Sequence, residues 1–306
     1  MADMENDLIN CNIIDEYTKR IYHVDTEISN GSFGRVYVCR DEKNRKYALK
    51  YPIKQTTVND TFQNEVNIYN HLRTELHKYS PPVLYIPRYR IIKYQKKTLI
   101  LNELLGDTID KRYKSLLSKH QGLPLRELVL LTIQLISCIK FIHTLGIIHQ
   151  DLKPENFLFG TGETNDQIFC IDFGLSKIYL KNKSHVPFEL INHFRGTVRY
   201  APLSAHKCES QSRKDDLESL GYIFVYLFNG KLPWQDIKER DKKKKKKLVE
   251  NRKENISLLD LTHGMPREYY MYMEYVKNLE YDEKPDYSTL KKMFVQLSEK
   301  LRQGKL

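Results

Sequence analysis

The densest run of reactive side chains in the 306-residue chain is His149-Gln150-Asp151-Leu152-Lys153-Pro154-Glu155-Asn156, followed at the end of an apolar strand pattern by Ile171-Asp172-Phe173-Gly174. Asp151 can orient a hydroxyl and take its proton, and Lys153 can neutralise charge on a group in transfer. Asn156 and Asp172 offer hard oxygen donors of the kind Mg²⁺ prefers. Together these are the parts needed to move a phosphoryl group onto a hydroxyl: a base, a countercharge and a metal site. Upstream, Ser29-Asn30-Gly31-Ser32-Phe33-Gly34-Arg35 reads as a turn in which Gly31 and Gly34 let backbone N–H groups approach phosphate oxygens. Lys50 ends a strand pattern, and Glu65 falls on the inward face of a helix, three residues after Phe62 and four before Tyr69. A carboxylate buried there needs a cation, and Lys50 is the obvious one.

Each feature taken singly also has an ordinary structural reading. A glycine turn joins many hairpins, and one Lys/Glu pair is commonly two unrelated surface charges. His149 reads as a satisfied core histidine, since Asp151 is the better base, and Trp234 reads as core packing. The order and completeness of the set remove coincidence.

The elements that must carry these residues follow from the pattern. Short β-branched and aromatic stretches at Ile21–Val24, Val36–Val38 and Tyr47–Leu49 predict an antiparallel meander. Asp60 and Gln63 then form a capping-box pattern ahead of Phe62, Val66, Tyr69 and Leu72 at helical spacing. Strand patterns at Leu84–Ile92 and Thr98–Leu101 flank the turn Gln95-Lys96-Lys97. Beyond Gly106 the character turns helical. Leu125–His143 is apolar almost all round and so predicts a helix at a domain centre; Asp216–Phe228, Pro266–Leu279 and Ser288–Leu301 predict others. The six lysines Lys242–Lys247 read as a solvated helical face or a loop between helices, with the loop expected, and as an anion site, an import signal or a solvated surface.

Composition sets outer bounds. At 41% hydrophobic and 29% charged residues the chain has the make-up of an ordinary globular protein with a sizeable core. The most apolar run, Leu128–Ile142, is broken by Thr132, Gln134, Ser137 and Lys140, too polar for a membrane span. Acidic Asp3, Glu5 and Asp7 stand where a secretion signal would be basic, and the five scattered cysteines form no metal or redox motif, so an intracellular protein with free thiols is expected. The net charge of +11 favours anionic partners: acidic or phosphorylated protein segments, with nucleic acid a lesser alternative. No membrane association is expected, and a monomer is.

The full set matches the protein-kinase signature, with His-Gln-Asp in place of His-Arg-Asp. More closely, Gly196-Thr197-Val198-Arg199-Tyr200-Ala201, Ser212–Tyr222 and Leu232-Pro233-Trp234-Gln235 resemble the casein kinase 1 family, which uses such a Gly-Thr-x-Arg-Tyr-Ala segment in place of Ala-Pro-Glu. The related vaccinia-type kinases fit Lys153–Asn156 and Asp172–Gly174 less well. The resemblance covers about residues 20–300. It implies an α+β, bilobal protein-kinase fold: an extension over 1–19, a small lobe over 20–101, a hinge over 102–107 and a mainly α large lobe over 108–306. It implies ATP and Mg²⁺ between the lobes, serine/threonine specificity, and adenine held by Ile28, Val36, Ala48, Leu158 and Ile171 with backbone bonds from Glu103 and Leu105. Residues 29–35 would cover the phosphates, Asn102 would be the gatekeeper, and Asp216 would anchor the catalytic loop. Arg199 with Lys245 would form an anion site favouring acidic or pre-phosphorylated substrates. Three positions depart from the pattern. Ser29 replaces the first loop glycine, implying weaker nucleotide binding. Asn102 is a polar gatekeeper. Gln150 replaces the arginine that clamps an activation-loop phosphate, implying constitutive activity. Two rivals remain, a pseudokinase scaffold and a nucleic-acid binder built on the lysine run.

Overall fold

The structure, a computed structural model, describes residues 8–31, 34–52, 61–78, 85–181 and 183–305. Ser32 and Phe33 of the glycine turn, Asp60 of the capping pattern and Leu84 lie outside the described residues.

The small lobe is a six-stranded antiparallel sheet in the order β1-β2-β3-β4-β6-β5, with one helix, α1 (Thr61–Leu76). Its strands are β1 (Asn12–Ile14), β2 (Ile21–Gly31), β3 (Gly34–Asp41), β4 (Lys46–Tyr51), β5 (Tyr89–Tyr94) and β6 (Lys97–Glu103). Side-chain alternation divides its faces: Tyr22, Val24, Tyr37, Cys39 and Leu49 are buried in the lobe core, while Val36, Ala48 and Lys50 stand half-buried on the other side. Strand β5 starts at Tyr89, later than the residue pattern suggests, because Pro87 has no N–H to give a ladder. The β5–β6 hairpin closes through Gln95 and Lys96, both at positive φ (48° and 63°), as a two-residue turn requires.

Residues 8–19 are part of this lobe, where a separate extension was expected. Leu8 and Ile13 join its core, and β1 pairs along β2. Asp15 fastens the segment to β5, its Oδ1 accepting the Lys93 N–H at 3.0 Å. A three-residue strand is too short to leave a sequence signal.

The large lobe is helical. Two single turns, α2 (Ile109–Arg112) and α3 (Lys114–Leu117), lead to the central helix α4 (Leu125–Thr144), whose buried residues include Leu128, Leu135, Ile139 and Ile142. Two strand pairs, β7 (Ile147–Ile148) with β10 (Lys177–Ile178) and β8 (Phe157–Phe159) with β9 (Ile168–Cys170), carry the reactive loops. Then come α5 (Leu203–His206), α6 (Arg213–Asn229), α7 (Lys242–Asn255), α8 (Leu258–Leu261), α9 (Arg267–Lys277) and α10 (Tyr287–Arg302). Helix α6 begins earlier than its apolar periodicity implies, because Asp215 Oδ2 accepts the Ser212 N–H (2.7 Å) and fixes the first turn.

The lysine run is a correction. Lys242–Lys247 opens α7 instead of forming a loop, since Asp241 caps the helix by accepting the Lys244 N–H (2.8 Å) and lysine is a good helix former. No described helix is long and apolar enough to cross a membrane.

Candidate active site

Four elements bring the reactive residues to the cleft between the lobes. From β4, Lys50 reaches α1 and the segment after β9 at once: its Nζ lies 2.6 Å from Glu65 Oε2 and 3.0 Å from Asp172 Oδ1. Glu65 is 1% exposed, so this ion pair is what makes its burial tolerable. Burial opposes the charge on Lys50, yet the two carboxylates outweigh it and raise its pKa above the ordinary lysine value. Burial likewise pushes Asp172 up, but Lys50 dominates and holds it below the usual carboxylate value. The ammonium and the Asp172 carboxylate are therefore both charged near neutral pH.

Asp172 sits at φ 66°, a left-handed conformation uncommon for residues other than glycine. The following Phe173 is fully buried against Tyr69 of α1 and the His149 ring, with centroids at 5.7 and 5.3 Å. Asn64 of α1 ties the same segment by donating to the Gly174 and Ser176 carbonyls, each at 2.9 Å. Helix α1 and the Asp172 loop thus hold one another in place.

The catalytic loop is fixed from beneath by Asp216 of α6. Its Oδ2 accepts the His149 N–H (2.7 Å), its Oδ1 accepts the Gln150 N–H (2.9 Å), and His143 Nε2 lies 2.9 Å from Oδ2. This grip holds Gln150 at φ 66°. His149 accepts the Asp151 N–H at Nδ1 (3.3 Å) and bonds the Ile171 carbonyl through Nε2 (3.0 Å), which gives it a structural role. Asp151 then presents its carboxylate between two donors. Thr197 Oγ1 donates to Oδ1 (2.7 Å) and Lys153 Nζ to Oδ2 (2.9 Å). Asn156 Nδ2 donates to the Asp151 carbonyl (2.9 Å), which leaves the amide oxygen as its free ligand atom.

Of the five residues expected around adenine, four are half-buried and Ile28 is exposed. Val36, Ala48, Leu158 and Ile171 are half-buried apolar residues alternating with fully buried Tyr37, Leu49, Phe157 and Cys170. Ile28 is 51% exposed and is the residue skipped where the β2–β3 register shifts between Glu27 and Ser29. Ala48 pairs with Asn102 across β4 and β6. The Glu103 N–H is committed to the Arg88 carbonyl (2.7 Å), so any edge-on bond from Glu103 uses its carbonyl. Among the described residues neither the N–H nor the C=O of Leu105 has a hydrogen-bond partner. Gly31 pairs with Gly34, Asn30 with Arg35 and Ser29 with Val36. A Cβ on Gly34 would lie 2.7 Å from the Tyr51 carbonyl oxygen, so that position accepts only glycine.

The site fits Mg²⁺ with a polyphosphate. Among the described residues no group of three or more His, Cys, Asp or Glu converges into a closed cage. Mg²⁺ needs none: one or two protein oxygens, here from Asn156 and Asp172, with phosphates and water complete its shell.

The two expected anion-site residues are not joined by any contact. Arg199 lies over the Tyr200 and Tyr226 rings (5.8 and 5.9 Å), whereas Lys245 is exposed on α7. The lysine of the run that touches the activation segment is Lys246, 5.2 Å from the Phe194 ring.

Three residues escaped the sequence reading. Thr197 lies inside the quoted Gly-Thr-x-Arg-Tyr-Ala segment, but only the fold brings its hydroxyl to Asp151. Asn64 looks like any polar helix residue. Lys253, 3% exposed at the far end of α7, donates to the Val198 carbonyl (2.9 Å) and the Ala201 carbonyl (2.6 Å) and lies 3.2 Å from His206 Nε2. Its faint signal is an i, i+4 relation to buried Val249, masked by the run of lysines before it.

A fixed lysine–carboxylate pair, a base beside a second lysine and two oxygen ligands across a cleft define a phosphotransferase acting on hydroxyl acceptors. A protein kinase domain model matches residues 22–297, and the chain therefore belongs to the protein kinase domain family. It is an enzyme that phosphorylates proteins, and ATP with Mg²⁺ is the usual phosphoryl source of the family.

Proposed function

We propose that this chain is a serine/threonine protein kinase of the casein kinase 1 type, active without phosphorylation of its activation segment and directed to acidic or pre-phosphorylated substrates. The observation that carries the reading is Asp151, whose carboxylate is held at once by Thr197 of the substrate-facing segment and by Lys153 of the catalytic loop (2.7 and 2.9 Å). Bound Mg²⁺–ATP supplies the γ-phosphoryl group and its countercharge. Asp151 orients the acceptor hydroxyl and takes its proton as the new O–P bond forms and the bond to the β-phosphate oxygen breaks. Lys153 offsets charge at the transferring group, and Lys50, fixed by Glu65, steadies the phosphates behind it.

Constitutive activity is supported by how the segment is fastened. Thr197 bonds Asp151, Trp234 Nε1 donates to the Arg199 carbonyl (2.8 Å), and Lys253 holds the carbonyls of Val198 and Ala201. None of these bonds needs a phosphate. The position of a phosphate-clamping arginine is occupied by Gln150, whose Oε1 is buried with no partner.

The test is transfer of labelled γ-phosphate to casein and to matched peptides carrying serine, threonine or tyrosine. Labelled serine and threonine peptides with an unlabelled tyrosine peptide, and unchanged turnover after phosphatase treatment, are the expected results. Preference for tyrosine, or loss of activity on dephosphorylation, would overturn the reading.

A further inference from the structure

On the side of the small lobe formed by the turn before β2, the end of α1 and β5 lies a groove of about 410 Å³ that contributes nothing to the cleft. Its exposed lining residues Arg20, Arg73 and Arg90 form the rim, and the half-buried Tyr89 and Ile91 form the floor. Three arginines from three separate elements converge here: Arg20 precedes β2, Arg73 lies in the last turn of α1, and Arg90 is on β5. All three are exposed, and among the described residues none of their guanidinium groups has an ion-pair or hydrogen-bond partner. The one carboxylate in the groove cannot serve them. Asp15 is 3% exposed and is already engaged by the N–H groups of Lys93 (3.0 Å), Thr18 (3.2 Å) and Tyr17 (3.5 Å) and by the Thr18 hydroxyl (2.5 Å).

Like charges gather in a concave site only at a cost, and among the described residues no ion pair offsets it. A ligand that supplies anionic oxygens above and an apolar group below matches the groove on both counts. Guanidinium forks grip phosphate or carboxylate bidentately, and the tyrosine and isoleucine floor accepts an aromatic or aliphatic side chain. We propose that this groove is a docking site for a protein segment in which a phosphorylated or acidic residue lies next to a large apolar one. A lone phosphate would leave the floor bare, and a nucleic-acid backbone would meet rim arginines without using it. The site is separate from Arg199, so docking leaves the substrate segment and the nucleotide cleft free.

The test is fluorescence anisotropy with the full chain and a labelled peptide carrying phenylalanine beside phosphoserine and no other hydroxyl. Companion peptides have glutamate or alanine in place of phosphoserine. The expected order of affinity is phosphoserine, then glutamate, then alanine. Arg20→Gln/Arg73→Gln/Arg90→Gln should weaken the phosphopeptide at least about 30-fold, and Arg90→Gln alone several-fold, as lost charge-assisted bonds predict. Melting curves check folding, and phosphorylation of a short peptide lacking the docking element should be unchanged in both variants. Equal affinity for the alanine peptide, retention of binding by the triple variant, or the same loss in Arg199→Gln would overturn the proposal. So would a single-stranded RNA that binds through these arginines while the phosphopeptide does not.

Discussion

Replacing Lys253 by methionine isolates the contribution of a buried ammonium to the substrate segment. Methionine keeps most of the aliphatic volume, so the change removes hydrogen bonds more than packing. The lost donors served the Val198 carbonyl (2.9 Å), the Ala201 carbonyl (2.6 Å) and His206 Nε2 (3.2 Å), which together match the three donors of an ammonium. The Tyr222 and Trp234 rings, 4.9 and 5.0 Å from Nζ, flank the same charge. Leaving a buried acceptor unpaired costs about 1–3 kcal/mol, so three give a gross loss of roughly 3–9 kcal/mol. Removing the ammonium also removes its desolvation penalty of several kcal/mol, which offsets about half and leaves a net loss of about 2–4 kcal/mol. Urea unfolding measures that loss directly. In kinetics the damage should fall on the peptide: KM for the substrate should rise about tenfold or more while KM for ATP stays within about twofold, because Lys50 and Leu105 are untouched. A stability change below about 0.5 kcal/mol, or equal rises in both KM values, would refute the reasoning.

Asp151→Asn should lower kcat by about 10²–10⁴-fold with Mg²⁺–ATP affinity nearly intact, since the lost group acts on the acceptor; single-turnover kinetics beside a nucleotide titration check this. Asp172→Asn should instead abolish the Mg²⁺-dependent part of the ATP thermal shift, because it removes a metal ligand and a Lys50 partner together. Burial, reinforced by the Lys253 charge, depresses the His206 pKa from 6.5 to about 3, so the unfolded chain takes up that proton first. Its stabilisation is complete above pH 6.5 and is lost by up to about 1.4 kcal/mol per pH unit as pH falls toward 3; His206→Gln should flatten the acid limb of stability against pH by one proton.

Much of the fold was legible because the burial pattern repeats at the period of each element. In α4, Leu128, Leu131, Leu135, Ile139 and Ile142 recur at helical spacing and are all buried, and in β3 and β4 the residues alternate between lobe core and cleft. The catalytic set was legible for another reason: base, countercharge and metal ligand must lie close together, so Asp151, Lys153 and Asn156 share one short loop. What stayed hidden is what acts across sequence distance with residues that look ordinary. β1 is three residues long and is held by pairing with β2, by Ile13 in the lobe core and by Asp15 bonded to Lys93 of β5. The start of α7 was misread because six lysines in a row suggest solvent and repulsion, whereas the single cap from Asp241 sets the first turn. Lys253 was invisible for the same reason, as one more lysine in a basic stretch.

On the function proposed above, the segment facing the substrate is held in place without an activating phosphate. Such a phosphate works by giving a mobile segment a charged partner to fold against. Here the partner is a buried lysine on the other side, in place without any modification. Lys253 comes from α7, and its ammonium binds main-chain carbonyls of Val198 and Ala201, so it holds the path of the backbone whatever side chains lie between. Trp234 binds the Arg199 carbonyl between those two. Thr197, just before them, bonds the catalytic base itself, and Gly196 can pass because a side chain there would meet the Gln150 carbonyl at 2.8 Å. Gln150 is in turn set by Asp216, which also holds His149 and contacts His143 of α4. From α4 to Arg199 the linkage is continuous, and every bond in it is present before any modification. An arginine at position 150 would add a cation to a place already ordered; a glutamine leaves that order to the fold.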